Sequence, residues 1–284
     1  MDAVQLATFQ AVIEDGSFEA AARRLHVTPS AVSQRIKALE QDVGQVLVRR
    51  TKPCEATEAG QPLVRLAGQV ALLEREALDA ARGGLAGGGR TRVSVVVNSD
   101  SLHTWFMPAL AAIPAELALS FDLHQDDESY TAELLRAGTV MAGVTAQHVA
   151  VQGCRVEKLG AMRYLAVAAP GCFTDFDSSP MLVFNRKDRL QHRFMAAQTR
   201  RHLDPPIHYV PAAAVFGEAI RLGLGWGMVP AQLVADDLAA GRCVELIPGR
   251  HLDVPLYWQY WRMESTVLRA LTTAVKAAAA GVLR

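Results

Sequence analysis

Residues Ser17–Leu39 read SFEAAARRLHVTPSAVSQRIKAL, two helices broken by a tight turn. Ser17 is an N-cap ahead of Phe18 and an alanine-rich turn. Thr28 caps the second helix, and Pro29 takes its first position, where no N–H is needed. Leu25, His26 and Val27 leave room only for a turn, so the helices must cross steeply. Winding the second helix at about 100° per residue places Val32, Ile36, Leu39 and Val43 on one side, a core stripe. Ser30, Ser33, Gln34 and Lys37 fall on the other. This row of donors and acceptors suits base edges in a major groove wide enough for an α-helix. DNA binding is the leading reading, against an ordinary helical hairpin with a polar outer face.

The 284-residue chain has a formal net charge of +0, so its total charge says nothing about nucleic acid. Its local charge does. From Arg23 to Lys52, the basic residues Arg23, Arg24, Arg35, Lys37, Arg49, Arg50 and Lys52 face only Glu40 and Asp42, enough for several phosphate contacts. Val46–Val48 reads as a short strand and Arg49–Pro53 as a basic turn, a wing able to reach phosphates or a minor groove. The candidate DNA-binding residues are therefore Thr28, Pro29, Ser30, Ser33, Gln34, Arg35, Lys37, Arg49 and Arg50.

The stretch FQAVIEDGSFEAAARRLHVTPSAVSQRIKALEQDVGQVLVRR resembles the DNA-binding domain of LysR-type transcriptional regulators. The resemblance rests on Leu6 and Phe9, Gly16-Ser17-Phe18, Ala21-Ala22 with Leu25, Thr28-Pro29-Ser30-Ala31-Val32-Ser33, Leu39-Glu40 and Leu47-Val48-Arg49, Val48 standing where an aromatic is usual. It implies an α/β protein with an N-terminal winged helix-turn-helix, a long linker helix that pairs two chains, and a two-lobed effector domain like a periplasmic binding protein. It also implies a dimer or tetramer.

The residues beyond the wing agree with that plan. A long helix runs from a cap at Thr57 to about Arg82, with Leu63, Leu66, Val70, Leu73, Ala77 and Ala80 spaced as a short heptad seam. Such a seam fits either a dimer or a single helix packed on a domain. Five glycines in Gly83–Gly89 cannot hold a helix and mark a connector. The expected domains are thus 1–58, the linker 59–90, and an effector domain 91–284, with lobe I at 91–161 plus 262–284 and lobe II at 162–261. Strands are expected at Arg92–Val97, Ser120–His124, Val140–Thr145, Arg155–Leu159, Tyr164–Ala168, Met181–Phe184, Ile207–Val210, Val244–Ile247 and Val254–Trp261. Helices are expected at Leu102–Ile113, Ser129–Ala137, Leu190–Thr199, Ala212–Leu222, Ala231–Ala239 and Ser265–Ala280. Alternation of the two implies parallel sheet with helices on its faces. The chain is expected to change lobes near Gly160-Ala161 and again near Trp261.

In open α/β folds, ligands sit at the carboxyl ends of strands, near helix N-termini. Ser99, Asp100 and Ser101 occupy such a position, either capping the next helix or holding a ligand carboxylate. Gln125-Asp126-Asp127-Glu128 is a solvated loop or a cation site, and Thr145 and Gln147 end the third strand. Gly223–Gly227 reads as a glycine-rich turn. VNSDSLHTWFMPAL, GVTAQH, VEKLGAMRYLAVA and LYWQYW resemble the arginine/lysine-responsive branch of the same family, the ArgP, LysG and IciA-like proteins. That resemblance implies lysine or arginine as effector and control of basic amino-acid export or metabolism. Ser99, Asp100, Ser101, Trp105, Asp127, Thr145, Gln147 and Glu218 form the candidate effector set, and Leu63, Leu66, Val70 and Leu73 the dimer seam.

Other classes fit less well. No run of 18 apolar residues is present, so no membrane span is expected, and MDAVQLATFQ does not read as a signal peptide. Cys54, Cys154, Cys172 and Cys243 are scattered, which suggests free thiols in a cytoplasmic protein. No catalytic triad order, phosphate loop, dinucleotide glycine pattern or metal motif appears, so neither an enzyme nor a cofactor or metal is expected. The partners expected are double-stranded DNA, a basic amino acid and a second copy of the chain, with RNA polymerase a further candidate. A nucleoid-type architectural DNA binder without an effector is the alternative.

Overall fold

The structure, a computed structural model, describes residues 1–82, 90–125 and 128–284, with backbone alone for 128–130. The Gly83–Gly89 connector and the Asp126, Asp127 and Glu128 carboxylates lie outside the described residues. The chain divides into two compact units. One comprises Met1–Asn98, Ala112–Glu157 and Trp258–Ala274; the other comprises Ser99–Ala111, Lys158–Tyr257 and Val275–Arg284.

The first unit opens with α1 (Ala3–Glu14), α2 (Phe18–Arg24) and α3 (Pro29–Val43). Ser17 Oγ accepts from the Ala20 amide and Thr28 Oγ1 from the Ala31 amide, the two caps expected. Phe9, Val12, Val32, Ile36, Leu39 and Leu47 are fully buried together. Val43, expected in the stripe, is instead 40% exposed, because the last turn of α3 runs past the core before its left-handed cap at Gly44. The wing is β1 (Val48–Arg49) paired antiparallel with β2 (Glu55–Ala56).

The long helix α4 (Gln61–Ala81) begins later than expected. Thr57 caps the turn before it, accepting from the Gly60 amide while donating to the Val46 carbonyl. Its buried residues are Val64, Ala67 and Leu72, and Leu73 of the proposed seam is 45% exposed. The buried stripe is explained by contacts within the unit. A Cβ on Gly68 would lie 2.7 Å from Trp261 Cη2, and one on Gly138 would lie 2.6 Å from the Arg65 amide nitrogen. Glu76 Oε1 accepts from Ser265 Oγ at 2.7 Å and from the Val267 amide at 2.9 Å, capping α11 (Thr266–Ala280).

The same unit holds β3 (Thr91–Val97), parallel to both β4 (Leu119–Gln125) and β5 (Ala142–Thr145). Val93, Val95, Val96 and Val97 are fully buried, as a central parallel strand covered on its faces requires. Between β4 and β5 runs α7 (Glu128–Ala137), which ends at Gly138 in the left-handed conformation.

The second unit starts with α5 (Ser99–Ser101), a π-helical segment Leu102–Phe106, and α6 (Met107–Ala111). Its main strand, β6 (Cys154–Ala168), is continuous. The expected break at Gly160-Ala161 does not occur, because the C-terminal residue pairs there instead: Ala161 and Arg284 exchange backbone hydrogen bonds of 2.7 and 3.0 Å. Gly160, at φ 141°, makes room, since a Cβ would meet Leu283 Cβ at 2.7 Å. The strand β9 (Gly227–Pro230), antiparallel to β6, was not expected. Gly227 belongs to it rather than to the preceding turn, lying against Phe216. The unit also holds β7 (Met181–Val183) parallel to β8 (Ile207–Tyr209), with α8 (Leu190–Gln198) between them, then α9 (Ala213–Arg221), α10 (Ala231–Ala239) and β10 (Val244–Glu245). Strand β11 (His251–Trp261), like β6, begins in one unit and ends in the other.

Candidate DNA-reading surface and effector site

The candidate DNA-reading surface comprises α3 and the wing. Ser30, Gln34 and Lys37 are exposed and Ser33 is half-buried, with Ser30 Oγ bonded to Thr28 Oγ1 at 3.0 Å. Arg35, also a DNA-binding candidate, is turned toward α1: its Nη1 donates to Thr8 Oγ1 at 3.4 Å. In the wing, Arg49 pairs loosely with Glu55 at 3.2 Å and Arg50 lies 4.9 Å above the Phe18 ring. Both pairs are exposed enough to be exchanged for phosphates. In the sequence, Glu40 stands only as an acid in the basic stretch and as part of the Leu39-Glu40 motif. Glu40 Oε1 accepts from the amides of Leu47 at 2.8 Å and Val48 at 3.3 Å, tying the end of α3 to the wing.

The candidate effector residues gather at the carboxyl end of β3. Asn98 Oδ1, Ser99 Oγ, Ser101 Oγ and Trp105 Nε1 are all buried with no hydrogen-bond partner among the described residues. Four such atoms in eight residues are unusual, since buried polar groups are ordinarily satisfied, and this makes the stretch the candidate place for polar ligand atoms. Asp100, next to them, is half-buried, and Oδ2 accepts from Tyr164 OH at 2.6 Å. Burial pushes its pKa up, as does the Asp188 charge; the tyrosine bond and His103 oppose the rise. His103 is itself held by Nδ1–H donating to the Ser99 carbonyl at 2.8 Å. The site thus offers free hydroxyls for an anion and a poorly solvated carboxyl for a cation.

The other candidates are placed differently. Thr145, buried at the end of β5, accepts from the Gln147 amide at 3.1 Å. The Gln147 carbonyl accepts from Gln259 at 3.3 Å, while its side chain is exposed. Glu218 on α9 is committed to Arg221, which also binds the buried Asp237 at 2.7 Å. Tyr164, His103 and Asp188 were missed from sequence. Tyr164 reaches Asp100 from β6, 64 residues away, a contact no local pattern carries. Asp188, whose charge acts on Asp100, lies 88 residues from it in sequence.

Comparisons with known proteins bear on the family and the fold. The family profile described as bacterial regulatory helix-turn-helix protein, lysR family, matches residues 4–61, and that of the LysR substrate binding domain matches residues 86–280. The HTH-type transcriptional regulator LysG of Mycobacterium tuberculosis is 49% identical, the match covering 100% of this chain and 95% of that protein. The crystal structure of ArgP from M. tuberculosis superposes with a TM-score of 0.90 at 48% identity, covering 100% of this chain and 99% of that one. Full-length LysG from Corynebacterium glutamicum with bound effector Arg gives 0.83 at 41% identity, covering 100% of both. No described helix is long and apolar enough to cross a membrane. A winged helix-turn-helix, a long α4, and a sheet whose carboxyl edge carries unpartnered polar atoms meet in one chain, and it belongs to the LysR family of bacterial transcriptional regulators.

Proposed function

We propose that this chain senses arginine or lysine and adjusts transcription of genes for basic amino-acid export or metabolism. The observation that carries the reading is the set of buried, unpartnered hydroxyls of Ser99 and Ser101 beside Asp100. The two hydroxyls and the free N–H groups at the start of α5 receive the α-carboxylate, Asp100 takes a positive group, and Trp105 forms a wall. Thr145, Gln147 and, on sequence grounds, Asp127 remain in the proposed set; Glu218 leaves it because Arg221 occupies its carboxylate. Its relatives' names and the arginine in the C. glutamicum protein support the choice of ligand. Ser30, Ser33, Gln34 and Lys37 read bases, with Thr28, Pro29, Arg35, Arg49 and Arg50 toward the backbone. The Leu63, Leu66, Val70 and Leu73 side of α4 pairs two copies, so that two reading helices meet two half-sites. Ligand preference for one arrangement of that assembly is what makes it a switch.

Titration calorimetry tests the reading. Arginine or lysine should bind, and Ser99→Ala should weaken binding by about 10- to 100-fold, the loss of one hydrogen bond to a charged group. DNA binding by the unliganded protein should be unchanged. No heat with either amino acid at millimolar concentration, on protein that binds an operator selected from random DNA, would leave only an architectural binder.

A further inference from the structure

Among the described residues of the second unit, Ser99, Ser101, Trp105, Gln191, His192 and Trp226 carry buried side-chain atoms with no hydrogen-bond partner. The hydroxyls can donate or accept, the indole N–H groups only donate, and the histidine nitrogen does whichever its tautomer allows. Gln191 Oε1 is the one atom of this set that can only accept. It therefore calls for an N–H or O–H that the protein does not supply.

Gln191 lies in the first turn of α8 and is 1% exposed. Phe194, one turn further along the same buried face, packs against Phe176 and Trp226 with ring centroids 6.2 and 6.4 Å away. Aromatic rings thus close the C-terminal side of that face. Helix side chains lean toward the N-terminus, which carries the Gln191 amide the other way, toward the entry of α8. There Asp188 accepts with both oxygens, from the amides of Phe184 at 3.2 Å and Leu190 at 2.9 Å. Its charge reaches Asp100, one of whose oxygens is taken by Tyr164. The negative charge of this corner comes from carboxylates whose oxygens are largely committed, and Gln191 adds an acceptor that is not.

We infer that Gln191 is a specificity-determining residue of the effector site, accepting an N–H from a guanidinium group and so selecting arginine over lysine; this rests on the sensing function proposed above. A guanidinium holds five donors in a rigid plane and is weakly hydrated, so it can serve Asp100 and a second, neutral acceptor together. An ammonium is compact and strongly hydrated. Once paired with Asp100, it gains little from a neutral amide oxygen. In the unliganded protein the unpaired oxygen lowers stability, as a buried acceptor without a partner does.

The test titrates L-arginine and L-lysine calorimetrically into the full chain, its Gln191→Leu and Gln191→Met variants, and Ser99→Ala. The parent should bind arginine more tightly than lysine. Both Gln191 variants should lose about 10- to 100-fold in arginine affinity, the loss of one hydrogen bond to a charged group, while their lysine affinity holds. Without ligand their thermal midpoints should rise, since an apolar side chain removes the unpaired oxygen. A parent that favours lysine, a parent-like ratio of the two affinities in both variants, or an equal loss for both ligands would overturn the inference. So would midpoints that fall in both variants, because the oxygen would then have its partner within the protein. If Ser99→Ala weakens both ligands while the ratio holds in the Gln191 variants, sensing stands and the role of Gln191 fails. No heat from either ligand on the parent chain removes the sensing itself.

Discussion

Replacing Gly68 with alanine sets two effects of known size against each other. In an exposed helix, the change gains about 1 kcal/mol of helix propensity. Here the added methyl would sit 2.7 Å from Trp261 Cη2 and 3.3 Å from Cζ3. The indole is 2% exposed and cannot swing aside. Overpacking of this kind costs about 1–3 kcal/mol, and two squeezed carbons put this case near the upper end. The balance is a loss of about 1–2 kcal/mol, or roughly 3–6 °C in thermal midpoint for a unit of this size. Differential scanning calorimetry at a fixed protein concentration measures it. Combining Gly68→Ala with Trp261→Phe should lose less than the sum of the single changes, because the methyl then fills space that the smaller ring leaves. A midpoint that rises for Gly68→Ala alone would show that α4 is not seated on Trp261, and the account of its buried stripe would fail.

Gln34→Ala should cost about 1–3 kcal/mol at the operator and relax one base position, whereas Arg49→Ala or Arg50→Ala should weaken all sequences alike with a flatter salt slope; gel-shift titrations on operator and scrambled duplexes separate the two. Leu66→Asp with Leu73→Asp should give monomers in sedimentation velocity and abolish tight operator binding, and a variant that remains a dimer would exclude that side of α4 as the pairing surface. Asp100 makes a pH prediction. Its raised pKa means that the folded protein holds the proton more tightly than the unfolded chain, so the stability it contributes is full below the ordinary value of 3.8 and is lost as pH rises through the raised one. Asp100→Asn should therefore match the parent in thermal midpoint near pH 3.5 and exceed it increasingly toward neutral pH, and a constant difference would contradict the assignment.

The reading helices were legible because their signals are local. Ser17 and Thr28 announce helix starts three residues before the amides they cap, Pro29 fits the first turn without an N–H, and the Val32, Ile36, Leu39 stripe follows from winding alone. Contacts made over long separations were not legible. Periodicity on α4 shows one apolar seam but not the side that its own unit covers; the contact of Gly68 with Trp261 marks that side, and the two lie 193 residues apart. Gly160 reads as a break until the C-terminus is found beside it, and β9 is too short, between glycine and proline, to stand out from a turn. At the effector site, Ser99, Asp100 and Ser101 were visible as a strand-to-helix junction. Tyr164 and Asp188 could not be found, because only the fold brings β6 and the α8 entry to the same carboxyl. Arg35 was counted among the basic DNA-binding candidates, but it lies at the edge of the core stripe, near enough to α1 to donate to Thr8.

The Glu40 carboxylate, shared between the Leu47 and Val48 amides, fuses α3 to its wing. Both backbone donors belong to the strand entry, so neither half of the reader can pivot without stranding a charge against unpaired amides. A rigid reader leaves the duplex as the compliant partner. The separation and relative tilt of its two grooves must be met by twisting and bending the DNA, and the cost of that deformation depends on the steps lying between the contacted bases. If α3 and the wing read DNA as proposed, spacer sequence that no side chain touches should therefore count in operator choice.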